Sequence, residues 1–355
     1  MANAVFNYNV SINGKHAARI EGLGAQVSAL IQESVKNGGR ESMIPKLYLE
    51  RNSNKAIETV AIEDSLGYMN PTLDGDHAKS DKTNQIGEKR ISHVIYTKDV
   101  TVTKVMMEDA YYQMDPSIEL KARALPDSYF ATREMIAQKS FIEADKATWK
   151  YEGAPLDLTT YDGQPLFSKN HEYGDELVGH AYGTQSNLFG IQLGEDYNAG
   201  NVAEVLAHGA AIINQMKNAN GVAQGFMADT IFVPSSVKNT SLRHLVQRAV
   251  GSEYFPGGGN NDINTQYNQW TVCPLMYWDT EEPEIIIMSQ KAKNQMKSMF
   301  FKRVNLDVKV YNEPSTDNMH WYARTRFGVG HVDYKHVIRI KINPTKTDGL
   351  EMLEI

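Results

Sequence analysis

The sequence predicts an α+β fold built from two lobes, and three observations support this prediction. The chain has 355 residues, which is more than one hydrophobic core usually organises. Apolar residues recur at helical spacing in some stretches and alternate with polar residues in others. Between such stretches lies a long polar segment, residues 159–190, with turn-forming pairs Asp162-Gly163 and Gln164-Pro165 and an apolar pair Leu166-Phe167. We expect this segment to be a structural joint between the lobes.

Composition excludes several classes of protein. The formal net charge of -7 does not indicate a nucleic-acid-binding domain, because such domains are usually basic. The single cysteine, Cys273, excludes an internal disulfide framework and a cysteine-based zinc cluster. No apolar run reaches the roughly 18 residues of a membrane-spanning helix, and the N-terminal residues lack the features of a secretory signal. We therefore expect a soluble protein made in the cytosol, with no membrane partner.

The first lobe begins with an N-terminal arm, residues 1–60, whose helical pattern at 16–35 has no core of its own. Residues 61–105 predict an extended hairpin loop with an outgoing limb at 59–69 and a return limb at 91–105, where β-branched residues alternate. A hairpin of this length normally needs a neighbour to rest on. Apolar spacing after Pro126 then predicts a long helix at about 126–150, which we interpret as a strut.

The second lobe is predicted at residues 191–315 from alternating strand and helix patterns. These are a helix at 199–218, a strand at 230–233, a helix at 235–250, strands at 270–278 and 284–288, a helix at 289–300 and a strand at 304–311. The closing strand, 319–342, has apolar residues of one parity, while Lys335, Arg339 and Lys341 have the other. We expect one face of this strand to be exposed to solvent, and we expect the strand to join the sheet of the first lobe near the joint.

Two motifs carry a family resemblance. The first runs from Asp162 through Leu166-Phe167-Ser168 to His171 and is followed by Ser186-Asn187-Leu188. It resembles the segment D-G-x-x-L-F-S-x-x-H … S-N-L of the Mu-like major head subunit family of tailed phages. The chain ending is similar too, with Trp321-Tyr322-Ala323-Arg324 leading to Gly328, Gly330, Asp333 and Lys335. One departure is the acidic, glycine-containing insert between His171 and Ser186.

The order of predicted elements is similar to the Hong Kong 97-type phage capsid fold. The resemblance implies an N-terminal arm (1–60), an extended β-hairpin loop (61–105) and a peripheral domain (106–190 and 316–345) that contains the spine helix. It also implies an inserted axial domain (191–315) and a C-terminal tail (346–355). Because no scaffold-sized region precedes the arm, we expect no N-terminal cleavage.

The function that the resemblance implies is structural. A major capsid protein of a tailed bacteriophage or prophage self-assembles, as pentamers and hexamers, into the icosahedral shell of the virion. It has no catalytic residue, cofactor or bound metal, and we expect no enzyme activity. The implied partners are other copies of the chain, a scaffolding protein and portal during assembly in the host bacterial cytoplasm, and packaged DNA. Contact with DNA is expected to be nonspecific and salt-sensitive.

Candidate site residues fall into two groups. Assembly residues are expected at the hairpin tip and in a glycine-rich loop: Leu73, Asp74, His77, Lys79, Lys82, Asn84, Phe255, Gly257, Gly258 and Gly259. Structural joint residues are Asp162, Gly163, Leu166, Phe167, His171, Asn187 and Trp321. The tip lysines and Asn84 give no sequence basis for a Lys-to-Asn crosslink, because exposed Lys and Asn are common in polar loops.

Alternative chemical interpretations remain open at this stage. His171, Glu172, Glu176 and His180 could ligate a metal in a hydrolase, although their spacing is not His-Glu-x-x-His and glycines interrupt any helix. Residues His331, Asp333 and Lys335 could form a catalytic set, but on the wet face of a strand we expect surface or interface residues. A different shell protein on the same fold is a further alternative.

Overall fold

A computed structural model describes residues 42–63, 68–77, 85–109, 116–173, 183–194, 196–254 and 263–353. The predicted helix at 16–35 therefore lies outside the described residues. The helices are α1 Ile44–Leu47, α2 Lys104–Asp109, α3 Pro116–Ile142, α4 Ala199–Gln215, α5 Thr240–Gly251 and α6 Gln290–Lys293. The strands up to the second lobe are β1 Leu49–Asn52, β2 Ile57–Glu63, β3 Gln85–Ser92, β4 Val94–Val102, β5 Thr148–Tyr151, β6 Ala154–Asp157, β7 His171–Tyr173, β8 Gly183–Gln185 and β9 Leu188–Ile191. The remaining strands are β10 Thr230–Pro234, β11 Thr271–Leu275, β12 Glu284–Met288, β13 Ser298–Asn312, β14 Met319–His331, β15 Val337–Ile342 and β16 Glu351–Met352.

One layer is a four-stranded sheet in the order β1-β13-β14-β4. Strands β13 and β14 are long and antiparallel, and β4 pairs with the outer half of β14. Helix α3 has 27 residues, which corresponds to about 40 Å at 1.5 Å per residue. It packs against β4, β13 and β14, so the helix and sheet form a long, narrow body.

The second layer is a six-stranded mixed sheet in the order β11-β10-β12-β15-β9-β16. Helix α4 packs on β12 and β15. Its Gly209 permits a close approach, because a Cβ there would lie 2.5 Å from Cδ1 of Ile287. Asn198 caps this helix by accepting hydrogen bonds from the backbone amides of Gly200 and Asn201.

A single large hydrophobic cluster joins the two layers. Phe141 of α3 lies edge-on to Phe232 of β10, with ring centroids 5.8 Å apart. Phe300 of β13 belongs to the same cluster as Ile338 of β15. The fold is therefore α+β, with a shared core in which the long helix meets both sheets. Within the described ranges, none of the helices is both long and apolar enough to cross a membrane.

The hairpin consists of β2 and β3, paired antiparallel from Ile57–Ser92 to Glu63–Gln85. The expected return limb at 91–105 is wrong, because residues 94–102 form β4 and pair with β14. The hairpin base rests on the four-stranded sheet where β14 carries Gly328 and Gly330. Alternation of β-branched residues located a strand at 91–105, but alternation alone does not say which neighbour a strand pairs with.

The long helix also differs from its prediction at 126–150. It begins at Pro116, has Pro126 in its interior and ends at Ile142. Residues Thr148–Tyr151 form β5, which pairs with β6 through Glu152 and Gly153, both with positive φ. Two consecutive positive φ values are typical of a tight two-residue hairpin turn. The apolar spacing of Trp149 therefore belongs to a strand.

The closing segment at 319–342 is two strands instead of one. Strand β14 belongs to the four-stranded sheet, whereas β15 lies between β12 and β9 in the six-stranded sheet. The expectation of one wet face fails for Lys335 and Arg339, which are buried. The predicted helix at 289–300 is shortened to α6, because residues from Ser298 onward enter β13. Arg339 lies in a strand that is covered on both sides, where polar residues of the second parity are buried as well, whereas Lys335 lies in the connection before β15.

Candidate functional site

The joint begins with a tight turn at residues 160–164. Gly163 has a φ of +76°, a left-handed conformation that glycine adopts without strain. The Asp162 carboxylate accepts a hydrogen bond from the Gln164 amide at 3.2 Å and another from the Thr160 hydroxyl. After the turn, Leu166 and Phe167 are buried in the large core cluster. The turn thus holds the polar side chains of Thr160 and Asp162 together and places the apolar side chains of Leu166 and Phe167 in the core.

His171 connects this turn to the closing segment. Its Nδ1 lies 2.6 Å from Oδ2 of Asp162, and its Nε2 donates to the carbonyl of Leu166 at 3.1 Å. The imidazole ring stacks on Tyr334, with centroids 3.8 Å apart and planes 7° apart. The hydrogen bonds from His171 and Thr160 lower the pKa of Asp162, although burial opposes this shift. Both ring nitrogens of His171 are therefore occupied by the protein itself.

Asn187 completes the joint by bridging three segments. Its Nδ2 donates to the carbonyls of Leu166 at 2.6 Å and Val337 at 3.3 Å, and its Oδ1 accepts from the amide of Ser168 at 2.9 Å. The side chain is fully buried. Through these bonds Asn187 ties the polar segment to β15. The segments 162–171 and 186–188 therefore meet in space.

Lys297, Asp333 and Lys335 form a buried charged group next to the joint. The Asp333 carboxylate accepts from Nζ of Lys297 at 2.8 Å and from Nζ of Lys335 at 3.2 Å. Lys335 also donates to the Tyr161 hydroxyl at 3.1 Å. The expectation that Asp333 and Lys335 lie at the surface is wrong, since both residues are under a tenth exposed. They lie in the connection between β14 and β15, which is covered by the hairpin and the joint.

His331 is buried too and does not form a set with these charges. Its Nε2 donates to the carbonyl of Ser140 at 3.2 Å, and its Nδ1 lies 3.3 Å from the Ser298 hydroxyl. His336 contacts the same hydroxyl through Nε2 at 2.9 Å. Burial lowers the pKa of His331 to about 4 and that of His336 well below its usual value. Both rings are therefore neutral core residues near neutral pH.

Arg339 and Glu284 form a second buried ion pair at the centre of the six-stranded sheet. The Arg339 Nε lies 2.6 Å from Oε2 of Glu284, and its Nη1 donates to the carbonyl of Ile142 at 2.8 Å. The guanidinium lies between the rings of Phe167 and Trp278, 5.6 Å from each centroid. The alternation of apolar and polar residues in the sequence predicted that Arg339 is exposed to solvent. Its partner, 55 positions away, has no signal in a local pattern.

Two predicted groups are not brought together with the joint. Trp321 lies in a separate small cluster with Val102, Leu125 and Met319, under the outer half of the four-stranded sheet. Glu172 follows His171 in β7, while Glu176 and His180 lie outside the described residues. Of the four residues in the metal alternative, the described part of the chain contains only His171 and Glu172. The occupied ring nitrogens of His171 leave no lone pair for a metal in this arrangement.

The hairpin tip is the most exposed apolar segment among the described residues. Tyr68, Met69 and Leu73 are 74%, 100% and 79% exposed. Asp74 and His77 are exposed beside them, in a turn where Gly75 has a φ of +92°. The other predicted assembly residues, Lys79, Lys82, Asn84, Phe255, Gly257, Gly258 and Gly259, lie outside the described residues.

Comparison with known proteins gives similarities in structure only. No protein-family model matches the chain, and a search of curated proteins finds no match. A solved chain of Microbacterium phage Oxtober96 is 10% identical with a TM-score of 0.49, covering 86% of this chain and 92% of that one. The capsid structure of cyanophage P-SCSP1u gives 10% identity and a TM-score of 0.48, covering 84% and 87%. A virus-like particle from Pyrococcus furiosus gives 10% identity and a TM-score of 0.46, covering 89% and 98%.

Proposed function

We propose that this chain is a major capsid protein of a tailed bacteriophage or prophage, which self-assembles into the icosahedral shell around the DNA genome. The resemblance of residues 162–171 and 186–188 to the Mu-like major head subunit supports this family. The order of elements supports it as well: a projecting hairpin, a long helix lying on a four-stranded sheet, and a second sheet carrying two helices. This order is similar to that of the Hong Kong 97-type fold.

The observation that carries the proposal is the exposed tip of the hairpin. Three large apolar side chains, Tyr68, Met69 and Leu73, project into solvent on a segment that has no core of its own. Exposed apolar surface of this kind marks an interaction site. A two-stranded hairpin is also marginally stable alone in water. A second copy of the chain that contacts the tip in a shell would cover the apolar side chains and support the hairpin.

The proposal also assigns roles in assembly to the other parts of the chain. The hairpin lies across the long helix of a neighbouring subunit. The part of the N-terminal arm that precedes α1 reaches another subunit, since residues 44–52 pack within their own subunit. The four-stranded sheet with α3 forms the peripheral domain, and the six-stranded sheet with α4 and α5 forms the axial domain, which meets its copies in pentamers and hexamers. Scaffolding protein and portal act during assembly, and DNA is held by nonspecific contacts. Many weak contacts per subunit stabilise the shell through multivalency.

Electron microscopy of hairpin variants tests the proposal. We expect the purified wild-type chain, with or without a scaffolding protein, to form shells, capsomers or sheets in negative stain. Met69→Asp and Leu73→Asp place a carboxylate in the apolar contact, and burying an unpaired charge is costly. We therefore expect these variants to remain soluble subunits and to form at least tenfold fewer particles.

A matched control separates loss of the contact from added charge. Thr72→Asp adds the same charge to the same exposed turn and removes no large apolar side chain. It should assemble far better than Leu73→Asp, and all the variants should unfold at the wild-type temperature. Normal shells from Leu73→Asp would refute the role of the tip. A stable wild-type monomer that binds one equivalent of zinc would instead support the hydrolase interpretation with His171, Glu172 and His180.

A further inference from the structure

An open pocket of about 270 Å³ lies between the hairpin, loops of the second lobe and the connection between β14 and β15. Strands β2 and β3 supply an apolar wall with Val60, Ile62 and Ile86. The opposite wall is polar and contains the charged group Lys297, Asp333 and Lys335 together with amide side chains. The hairpin therefore packs against a charged surface.

The charges on the polar wall do not balance. Two ammonium groups share one carboxylate, since both Lys297 and Lys335 donate to Asp333. The three side chains are each less than a tenth exposed. The nearby Asp162 carboxylate lies 2.6 Å from Nδ1 of His171, and neither residue lines the pocket. Among the described residues that line the pocket, two lysines and one carboxylate carry charge, which is an excess of one positive charge.

A buried charge without a counter-charge is energetically costly. The protein can avoid this cost if a lysine loses its proton or if an anion enters the pocket. Burial lowers the pKa of Lys297, whereas Asp333 and Tyr334 hold the pKa of Lys335 above its usual value despite its burial. Lys297 is therefore the group whose charged form gains most from an anion.

We infer that this pocket binds one small oxyanion, of the carboxylate or phosphate class, against Lys297 and Lys335. The pocket is smaller than the roughly 300–1,000 Å³ typical of drug-sized ligands, so a compact anion fits it best. Lysine binds such groups as a point charge with several donors. The anion also neutralises the surface under the hairpin, and so it couples the hairpin base to the second lobe.

Titration of the purified full-length chain with inorganic phosphate, and separately with acetate, tests this inference. At pH 7 and constant ionic strength adjusted with chloride, we expect saturable binding of one anion per chain by calorimetry. The unfolding temperature should rise by at least about 2 °C at saturation. Saturation by phosphate assigns the phosphate class, and saturation by acetate alone assigns a carboxylate. Failure of both to saturate would overturn the site.

Substitutions that lower or raise the positive charge of the pocket should change anion binding in opposite directions. Lys297→Met and Lys335→Met remove the excess charge, and each should weaken anion binding at least tenfold. Asp333→Asn increases the excess, so its unfolding temperature should respond more strongly to the anion, even if the variant is less stable without it. Lys291→Met, an exposed lysine in α6, removes the same charge outside the pocket and should bind as wild type.

Phosphate stabilises many folded proteins because it is excluded from their surfaces. An equal rise in unfolding temperature for wild type and Lys297→Met would therefore refute the inference. These measurements use unassembled chains and do not depend on shell formation. The site and the proposed capsid function can consequently fail independently.

Discussion

Phe167 anchors the joint in the core. Its ring lies edge-on to Phe141 at 5.7 Å and faces the guanidinium of Arg339, and its amide donates to the carbonyl of Ala144 at 2.9 Å. Phe167→Ala leaves a cavity and should lower the free energy of unfolding by about 3–5 kcal/mol, measured by urea denaturation of unassembled subunits. Phe167→Leu retains most of the volume and should lose clearly less. A loss below about 1 kcal/mol for the alanine variant would contradict this role.

Glu284 is the counter-charge of a buried arginine. Glu284→Gln preserves shape but leaves the Arg339 guanidinium with a neutral partner, so we expect a loss of about 3–5 kcal/mol in the free energy of unfolding. The double variant Glu284→Gln with Arg339→Met removes both charges. It should be more stable than the sum of the two single effects, as a double-mutant cycle in urea would measure. Strict additivity would show that the pair is not coupled.

At the level of elements, Gly328 and Gly330 of β14 allow the base of the hairpin to pack closely on the four-stranded sheet. A Cβ at Gly328 would lie 2.7 Å from the backbone oxygen of Ser92 in β3. Because this contact is with backbone, it cannot be relieved by a rotamer change. Gly328→Ala should therefore displace the hairpin base and cost about 1–3 kcal/mol. Urea denaturation measures the cost, and faster proteolysis within residues 57–92 reports the displacement.

Gly251→Ala provides the matched control for this element. Gly251 ends α5, and a Cβ added there would have no atom of the described residues within 4 Å. Alanine should be neutral or slightly stabilising at this position, because it favours helix more than glycine does. If Gly328→Ala behaved like Gly251→Ala, the close packing of the hairpin on β14 would be refuted.

Elements with a strong, simple pattern were predictable from sequence. The strands at 230–233 and 284–288 are confirmed, because continuous apolar runs with β-branched residues fit a strand buried on both faces. The helix at 199–218 is confirmed except for its last residues. The end of α3 was missed, because Ala144 and Trp149 continue the apolar spacing of the helix although they lie in a turn and in β5.

Partners that lie far apart in sequence were not predictable. Lys297 and Asp333 are 36 positions apart, and Glu284 and Arg339 are 55 positions apart. In each case a charged residue in a strand pattern indicated solvent, and the pairing that permits burial depends on which strands become neighbours. Local parity cannot contain that information. The turn at Asp162-Gly163 and the burial of Leu166-Phe167 were predictable because these residues are contiguous in sequence.

For the whole molecule, the buried histidines make stability depend on pH. His331 has a pKa of about 4 in the folded protein, compared with about 6.5 when unfolded. Between these values the unfolded chain binds a proton that the folded chain does not. The contribution of His331 is therefore fully present above about pH 6.5 and decreases by as much as about 3 kcal/mol as the pH falls to about 4. His336, also neutral and buried, acts in the same direction.

The contribution of the buried carboxyl groups to stability changes in a lower pH range than that of the histidines. Lys297 and Lys335 lower the pKa of Asp333 although burial opposes them, so its contribution is lost only below the unfolded value of about 4. Urea denaturation between pH 7 and about 5.5 consequently reports mainly on the histidines, because the unfolded carboxyl groups titrate below this range. His331→Gln should flatten this part of the curve, whereas His208→Gln, at an exposed position of α4, should leave its slope unchanged. Parallel curves for wild type and His331→Gln would show that the core around Ser140 and Ser298 does not exclude a charged imidazole.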